Sequence, residues 1–313
     1  MQRSDVIILG GGLVGLALAA ALDSSGLSCT VVDPADPEAR KDAAFDGRTS
    51  ALSSSSKRMF DTIGISEYFP VPGCPIRRIE VADGLDPGGL VFDPGDDDEP
   101  LGWMNENRHL HAALLARAAA GKNITLRWKS RPIAIDRAEH GVHVRLDGGD
   151  EIGAPLLVAA EGRNSPMREA AGIRVARWKY DHNAIVSTLR HERPHENVAY
   201  EIFYPAGPFA LLPMTDDEGG HRSAIVWSVK ADAAPGFLSL SAADFAARRS
   251  EKDDPERPGG NRDRNHLPGT RFPHPVVNNR NNPRGSAYSA FRSLVVSCTA
   301  VRHCSKQALH FLR

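Results

Sequence analysis

Near the N-terminus the apolar positions do not alternate. Val6-Ile-Ile-Leu9 runs unbroken between Asp5 and a glycine triplet. A short β-branched run of that kind predicts a strand covered on both faces, as in a parallel sheet. Gly10-Gly-Gly12-Leu-Val-Gly15 follows, and Leu16 to Ser25 then reads as a close-packed helix of small residues with Gly26 as its C-terminal cap. A second apolar run, Ser28-Cys-Thr-Val-Val32, predicts the next strand and ends in Asp33. Asp46-Gly-Arg48-Thr-Ser-Ala-Leu52 predicts the opening of a second helical stretch, capped by Ser50 or Ser53. Asn107 to Arg117 has the spacing of an amphipathic helix, and Ile124 to Trp128 that of a strand. Val142 to Leu146 and Glu151-Ile152 read as strands around a Gly148-Gly149 turn.

The second half changes period. Ala184 to Arg190, Val198 to Tyr204, Phe209 to Leu212 and Ser223 to Val229 are four strand candidates, some separated by Gly-Pro and Gly-Gly turns. They predict an antiparallel sheet with one solvated face. Between Pro70 and Pro100 the chain is rich in Pro, Gly and Asp, with a strand near Arg78 to Val81 and a solvated charge run at Asp96 to Glu99. A helix from Ala242 to Ser250, capped by Ser241, ends the patterned part.

The first 33 residues carry chemistry. Strand, glycine loop, helix, strand and terminal acid stand in the order and span of a dinucleotide-binding βαβ unit. Gly10 permits the tight turn, Gly12 lets backbone N–H groups approach a pyrophosphate, and Gly15 allows helix and strand to touch. The helix N-terminus adds partial positive charge. Asp33 is placed to accept hydrogen bonds from ribose hydroxyls. This fingerprint alone does not separate FAD from NAD.

Composition narrows the partners. The 313 residues suffice for one large or two modest domains. With 38 basic against 39 acidic residues, nothing favours nucleic acid. The four cysteines form no C-x-x-C pair, which suits a reducing cytoplasm. Glycines interrupt the Val6 to Leu22 run, which is short for a membrane span, so neither a signal peptide nor a transmembrane helix is expected there. His182, His191 and His195 share no metal-ligand spacing, several are expected at the surface, and no metal is assigned. Phe203, Phe209, Leu212 and Trp227 are expected as sheet core rather than ligand contacts.

Four segments in order carry a resemblance: the glycine loop, the Arg48 stretch, Asn107-Arg108-His-Leu-His, and Leu156-Leu-Val-Ala-Ala-Glu-Gly162-Arg-Asn-Ser165-Pro-Met-Arg168. Arg193-Pro-His195-Glu-Asn-Val-Ala-Tyr-Glu-Ile-Phe203, Pro205-Ala-Gly-Pro-Phe-Ala-Leu-Leu-Pro213 and Ser223-Ala-Ile-Val-Trp227 extend it over residues 4 to 249. Together they resemble the group A flavoprotein aromatic monooxygenases, and more closely the FAD-dependent ubiquinone-biosynthesis hydroxylases acting on polyprenylated phenols.

That resemblance implies an α/β fold like that of para-hydroxybenzoate hydroxylase. A Rossmann-type FAD-binding domain would occupy residues 1–75 and 101–178, and an antiparallel substrate sheet residues 76–100 and 179–249. It implies FAD as cofactor, NAD(P)H as co-substrate without a domain of its own, and a lipophilic phenol as substrate. It also implies a cytoplasmic protein, peripheral at the inner membrane face beside other quinone-biosynthesis enzymes. Arg48 and Arg108 would contact the FAD phosphates or the flavin side. Glu161-Gly162 stands where the family has Asp-Gly, whose carboxylate meets the ribityl and pyrophosphate region; the extra methylene redirects or weakens that bond. Arg168 reads as structural, paired with a nearby acid. The family's chemistry rests on the flavin, so no side-chain acid or base is assigned. The competing readings are an NAD-linked Rossmann dehydrogenase and a non-catalytic scaffold in a quinone-synthesis complex.

Past Ser250 the character changes. Beyond Arg264 there is no Asp or Glu, while seven Lys or Arg residues remain. Residues 250–313 are expected as an atypical, disordered basic tail, the product of a shifted reading frame ahead of a lipid-binding arm or a divergent domain. The Gly-Asp-Ala-Ala-His segment with which the resembled enzymes return to the flavin is not found in it. The expectation is a flavin site short of one wall, a missing strand that leaves a sheet edge exposed, and a chain inactive or unstable as written.

Overall fold

In a computed structural model of the chain, the described residues are 1–37, 45, 47–84, 89–95, 98–241 and 294–302. They fall into two compact units. The first comprises Met1–Ala44, Ser55–Pro72 and Asn107–Val175; the second Phe45–Ser54, Gly73–Glu106 and Ala176–Arg313.

The first unit is built on four parallel strands in the order Leu156–Ala159, Val6–Leu9, Cys29–Asp33 and Ile124–Trp128. Val6–Leu9 is buried at every position because both of its faces are covered. Ile7 and Leu9 pack with Val142, Val144, Leu146 and Ile152 of a smaller sheet. Val6 and Ile8 pack with Ala19, Cys29 and Val31 on the opposite side, where the helix Leu13–Ser24 lies. The unbroken apolar run thus resolves into two alternating sets, each with its own partner.

The smaller sheet joins Gln2–Arg3, Glu151–Ala154, Gly141–Leu146 and Pro132–Ala138. The helix Asn107–Ala120 buries Leu110, Ala113, Leu114 and Ala118, one stripe at helical spacing. Its Arg117 forms an ion pair with Asp23 at 2.9 Å, both side chains nearly buried.

The second unit contains a seven-stranded sheet, in the order Leu294–Arg302, Ala176–His191, Gly220–Lys230, Gly207–Asp217, Val198–Tyr204, Arg78–Asp83 and Leu90–Phe92. All its pairings are antiparallel except that of Val198–Tyr204 with Arg78–Asp83. Ile185, Leu189, Phe209, Leu211, Ile225, Trp227 and Val229 form one core cluster. The short helix Ala234–Leu238 closes it, with the Phe237 ring 4.9 Å from Trp227. Phe209 and Trp227 are core as expected, whereas Phe203 is half exposed.

Two expectations need correction. Thr49–Ser53 is a strand, not the start of a helix, because it pairs antiparallel with Gly102–Glu106; the helix begins at Ser54. That pairing also draws Phe45–Ser54 into the second unit. Of His182, His191 and His195, several of which are expected at the surface, none is exposed: His191 is buried and the other two are half-buried. The helix expected over 242–250 lies outside the described residues, as does the 250–313 tail apart from the strand Leu294–Arg302.

Candidate cofactor site

The loop between Val6–Leu9 and Leu13–Ser24 has little freedom. Gly10 adopts φ +108°, a conformation that side chains rarely tolerate. Its N–H donates to Val32 O at 2.8 Å, and a β-carbon there would meet Ala160 O at 2.5 Å and Glu161 N at 3.0 Å. Gly15 is excluded from carrying a side chain by a different neighbour. Its β-carbon would run into the Gly10 carbonyl oxygen and come within 3.3 Å of Ile8 Cγ2. Gly12 is the opposite case, with no heavy atom within 4 Å of the β-carbon position.

Gly12 caps the helix with extended backbone (φ −80°, ψ −172°). No side chain caps the helix, and its first turn holds no acid. The N-terminal N–H groups of an α-helix lack intrahelical acceptors and carry partial positive charge. Here they adjoin open space at a glycine, and a dinucleotide pyrophosphate fits that donor set.

Asp33 ends the second strand beside this loop. Its Oδ2 accepts the Gly11 N–H at 2.6 Å and its Oδ1 the Ala35 N–H at 2.7 Å. An ionised carboxylate has about four lone-pair sites, so two remain for hydroxyl donors.

Glu161 borders the loop through its backbone, but its side chain turns elsewhere. Glu161 Oε2 accepts the Ser165 hydroxyl at 2.6 Å and the Met167 N–H at 3.2 Å. Ser165 Oγ in turn accepts the Arg168 N–H at 3.1 Å, capping the short helix Pro166–Ala170. The carboxylate thus lies at the start of that short helix. Gly162 follows at φ +82° with open space around it. Arg168 Nη2 donates to the Arg163 carbonyl, so its observed contact is to backbone rather than to an acid.

The structure therefore brings together Gly10, Gly12, Gly15, Asp33 and the Glu161 backbone, with Gly162 the next residue along. Arg108 is exposed at the second position of Asn107–Ala120 in the same unit. Arg48 is exposed just before Thr49–Ser53 and belongs to the second unit.

Sequence reading missed a cluster in the second unit. His191, His195 and His221 have ring centroids 6.0, 6.1 and 6.5 Å apart. The Asn197 N–H donates to His195 Nδ1 at 3.0 Å, so the proton sits on Nε2, which donates to Met214 O at 3.0 Å. His191 bonds the Arg193 carbonyl through Nδ1 and Ser223 Oγ through Nε2. Burial, reinforced by His195 and His221 and opposed by the Arg193 carbonyl, holds its pKa below the usual histidine value. Only the strand pairing reveals this grouping, since His191 and His221 are register partners. Among the described residues no His, Cys, Asp and Glu group is arranged to hold a metal ion. No described helix is long and apolar enough to cross a membrane.

Comparison with known proteins agrees with the loop geometry. The chain is 43% identical over 244 residues to the ubiquinone hydroxylase UbiL of Rhodospirillum rubrum, covering 78% of this chain and 56% of that protein. It is 33% identical over 229 residues to the 3-demethoxyubiquinol 3-hydroxylase of Escherichia coli, covering 72% and 57%. The chain therefore spans little more than half the length of these relatives. Among solved structures, PqsL of P. aeruginosa in complex with 2-aminobenzoylacetate matches the fold with a TM-score of 0.66 at 22% identity, over 80% of this chain and 67% of that one. The model of the FAD binding domain family matches residues 3–251. The chain therefore belongs to the FAD binding domain family, with FAD as its cofactor.

Proposed function

We propose that this chain is the cofactor-binding and substrate-sheet portion of an FAD-dependent monooxygenase that hydroxylates a polyprenylated phenol in ubiquinone biosynthesis, with NAD(P)H and O2 as co-substrates. The observation that carries the reading is the glycine loop in its built state, matched by 43% identity to a ubiquinone hydroxylase across both units. Bound FAD supplies the electron transfer and oxygen activation that protein side chains lack.

The chain's own residues bind and orient. N–H groups at the start of Leu13–Ser24 hold the pyrophosphate, with Gly12 leaving room for its approach. Asp33 accepts the ribose hydroxyls through the lone pairs that Gly11 and Ala35 leave free. Within the same unit, Arg108 adds charge toward the phosphates or the flavin. At 161–162 the backbone faces the cofactor, because the Glu161 carboxylate is held by Ser165 and Met167. The apolar sheet of the second unit suits a prenyl-bearing ring, and the substrate's lipophilicity suits peripheral attachment to the inner membrane face.

The test is to purify the chain, add FAD, desalt, and record the visible spectrum before supplying NAD(P)H. Retained flavin bands support the cofactor site. Substrate-stimulated NAD(P)H oxidation with phenol hydroxylation supports the full activity. A protein that stays colourless refutes the cofactor assignment for this chain.

A further inference from the structure

The end of the fourth parallel strand contacts the cofactor loop, and none of the residues expected at the site lies there. Trp128 ends Ile124–Trp128 and is the register partner of Asp33. Its six-membered ring lies where a Gly11 side chain would be. A β-carbon on Gly11 would stand 2.5 Å from both Cη2 and Cζ3 of the indole and 3.1 Å from Asp33 Cβ.

Gly11 is also the residue whose N–H donates to Asp33 Oδ2. The indole thus covers the side of the loop on which the acid and the glycine meet. The next two residues secure the same turn. Lys129 N–H donates to Ala35 O at 3.2 Å and Ser130 N–H to Asp33 O at 3.2 Å. Lys129 takes a positive φ of 54°, and its Nζ pairs with Asp36 at 2.7 Å.

We infer that Trp128 is a positioning residue for the adenosine half of the cofactor, the inference resting on the cofactor reading above. An indole over the Gly11–Asp33 bond keeps water from competing for that carboxylate oxygen and fixes the rotamer of Asp33. The remaining lone pairs then point where ribose hydroxyls must arrive. A hydrogen bond shielded from water is stronger than the same bond in it, and pre-ordering the acceptor removes an ordering cost from binding. The Gly11 position is glycine because the ring occupies the space, a steric reason distinct from those at Gly10 and Gly15.

The test uses the full chain and its Trp128→Phe, Trp128→Ala and Gly11→Ala variants, titrated separately with FAD, ADP and FMN, with thermal melting alongside. The expected result for Trp128→Ala is affinity about tenfold weaker for FAD and ADP, corresponding to one good hydrogen bond. FMN binding is unchanged because FMN lacks the adenosine. Trp128→Phe keeps an aromatic ring over the bond and restores most of the loss. Gly11→Ala pushes the ring away and reproduces the loss with Trp128 present; it decides the matter if Trp128→Ala melts in the cold. Unchanged ADP affinity in the folded variants overturns the inference alone, as does equal weakening of FMN. A wild-type chain that binds neither FAD nor ADP overturns the cofactor reading and this inference together.

Discussion

Gly12→Ala and Gly15→Ala remove the same kind of residue three positions apart, yet the structure predicts different outcomes. At Gly15 two effects oppose one another. Alanine is favoured over glycine inside a helix by about 1 kcal/mol. The new methyl, however, collides with the Gly10 carbonyl and crowds Ile8, and neither is the free end of a flexible side chain. Overpacking of this kind costs about 1–3 kcal/mol, more when backbone must move. Because backbone must move here, the collision lies at or above the top of that range and outweighs propensity, so the expected net loss is about 2 kcal/mol or more, about 4–8 °C or more in Tm for a domain of this size. Because Gly10 must shift, FAD affinity falls too.

Gly12→Ala meets nothing within 4 Å and has an ordinary φ, so Tm should stay within a degree or two (about 0.5 kcal/mol) of wild type. Its methyl nevertheless fills the approach to the helix N-terminus, and FAD affinity should fall by about tenfold or more, about 1.4 kcal/mol. The assay is a melting curve and an FAD titration on each variant. A Gly12→Ala protein that binds FAD normally refutes the placement of the pyrophosphate. A Gly15→Ala protein that melts and binds like wild type refutes the close approach of helix and loop.

His191 should make stability pH-dependent. Its pKa is lowered in the folded state, so its contribution is complete above the unfolded value of about 6.5 and is lost as pH falls through the folded one. Urea midpoints measured between pH 8 and pH 5 (about the span of histidine titration) should fall toward acid, and His191→Gln should flatten the slope. Ser165→Ala removes the cap of Pro166–Ala170 and a partner of Glu161, costing about 0.5–2 kcal/mol by chemical denaturation. Glu161→Gln should then change FAD affinity less than Gly12→Ala does, and an effect as large would place the carboxylate at the cofactor. Burial pushes the Cys29 thiol up to about 11 and that of Cys74 up to about 12. Both should therefore resist thiol reagents in the native protein at mildly alkaline pH and react once it is unfolded, as mass mapping would register.

Much of the first unit was legible because local rules govern it. Val6–Leu9 is a doubly covered strand, and its apolar run says so without reference to anything distant. Gly10, Gly12 and Gly15 are constrained by a turn, an open approach and a helix contact within six residues of one another. The strands around Gly148-Gly149 and those of the second sheet likewise follow from period and turn chemistry. Family membership rested on short motifs kept in order along the chain.

What the sequence left open depends on partners far away along the chain. Thr49–Ser53 reads as a helix start by its serines, and only pairing with Gly102–Glu106 makes it a strand. That the Glu161 carboxylate takes the Ser165 hydroxyl and the Met167 N–H as donors is visible only in the folded segment. Trp128 reads as the end of an apolar strand, and only sheet order sets its ring against Gly11. His191 and His221 lie thirty residues apart and meet because their strands are in register. Covalent neighbours fix backbone conformation through sterics and hydrogen bonds that a residue cannot avoid. Side-chain destinations are decided by which surfaces the folded chain brings together, and that choice exists only in three dimensions.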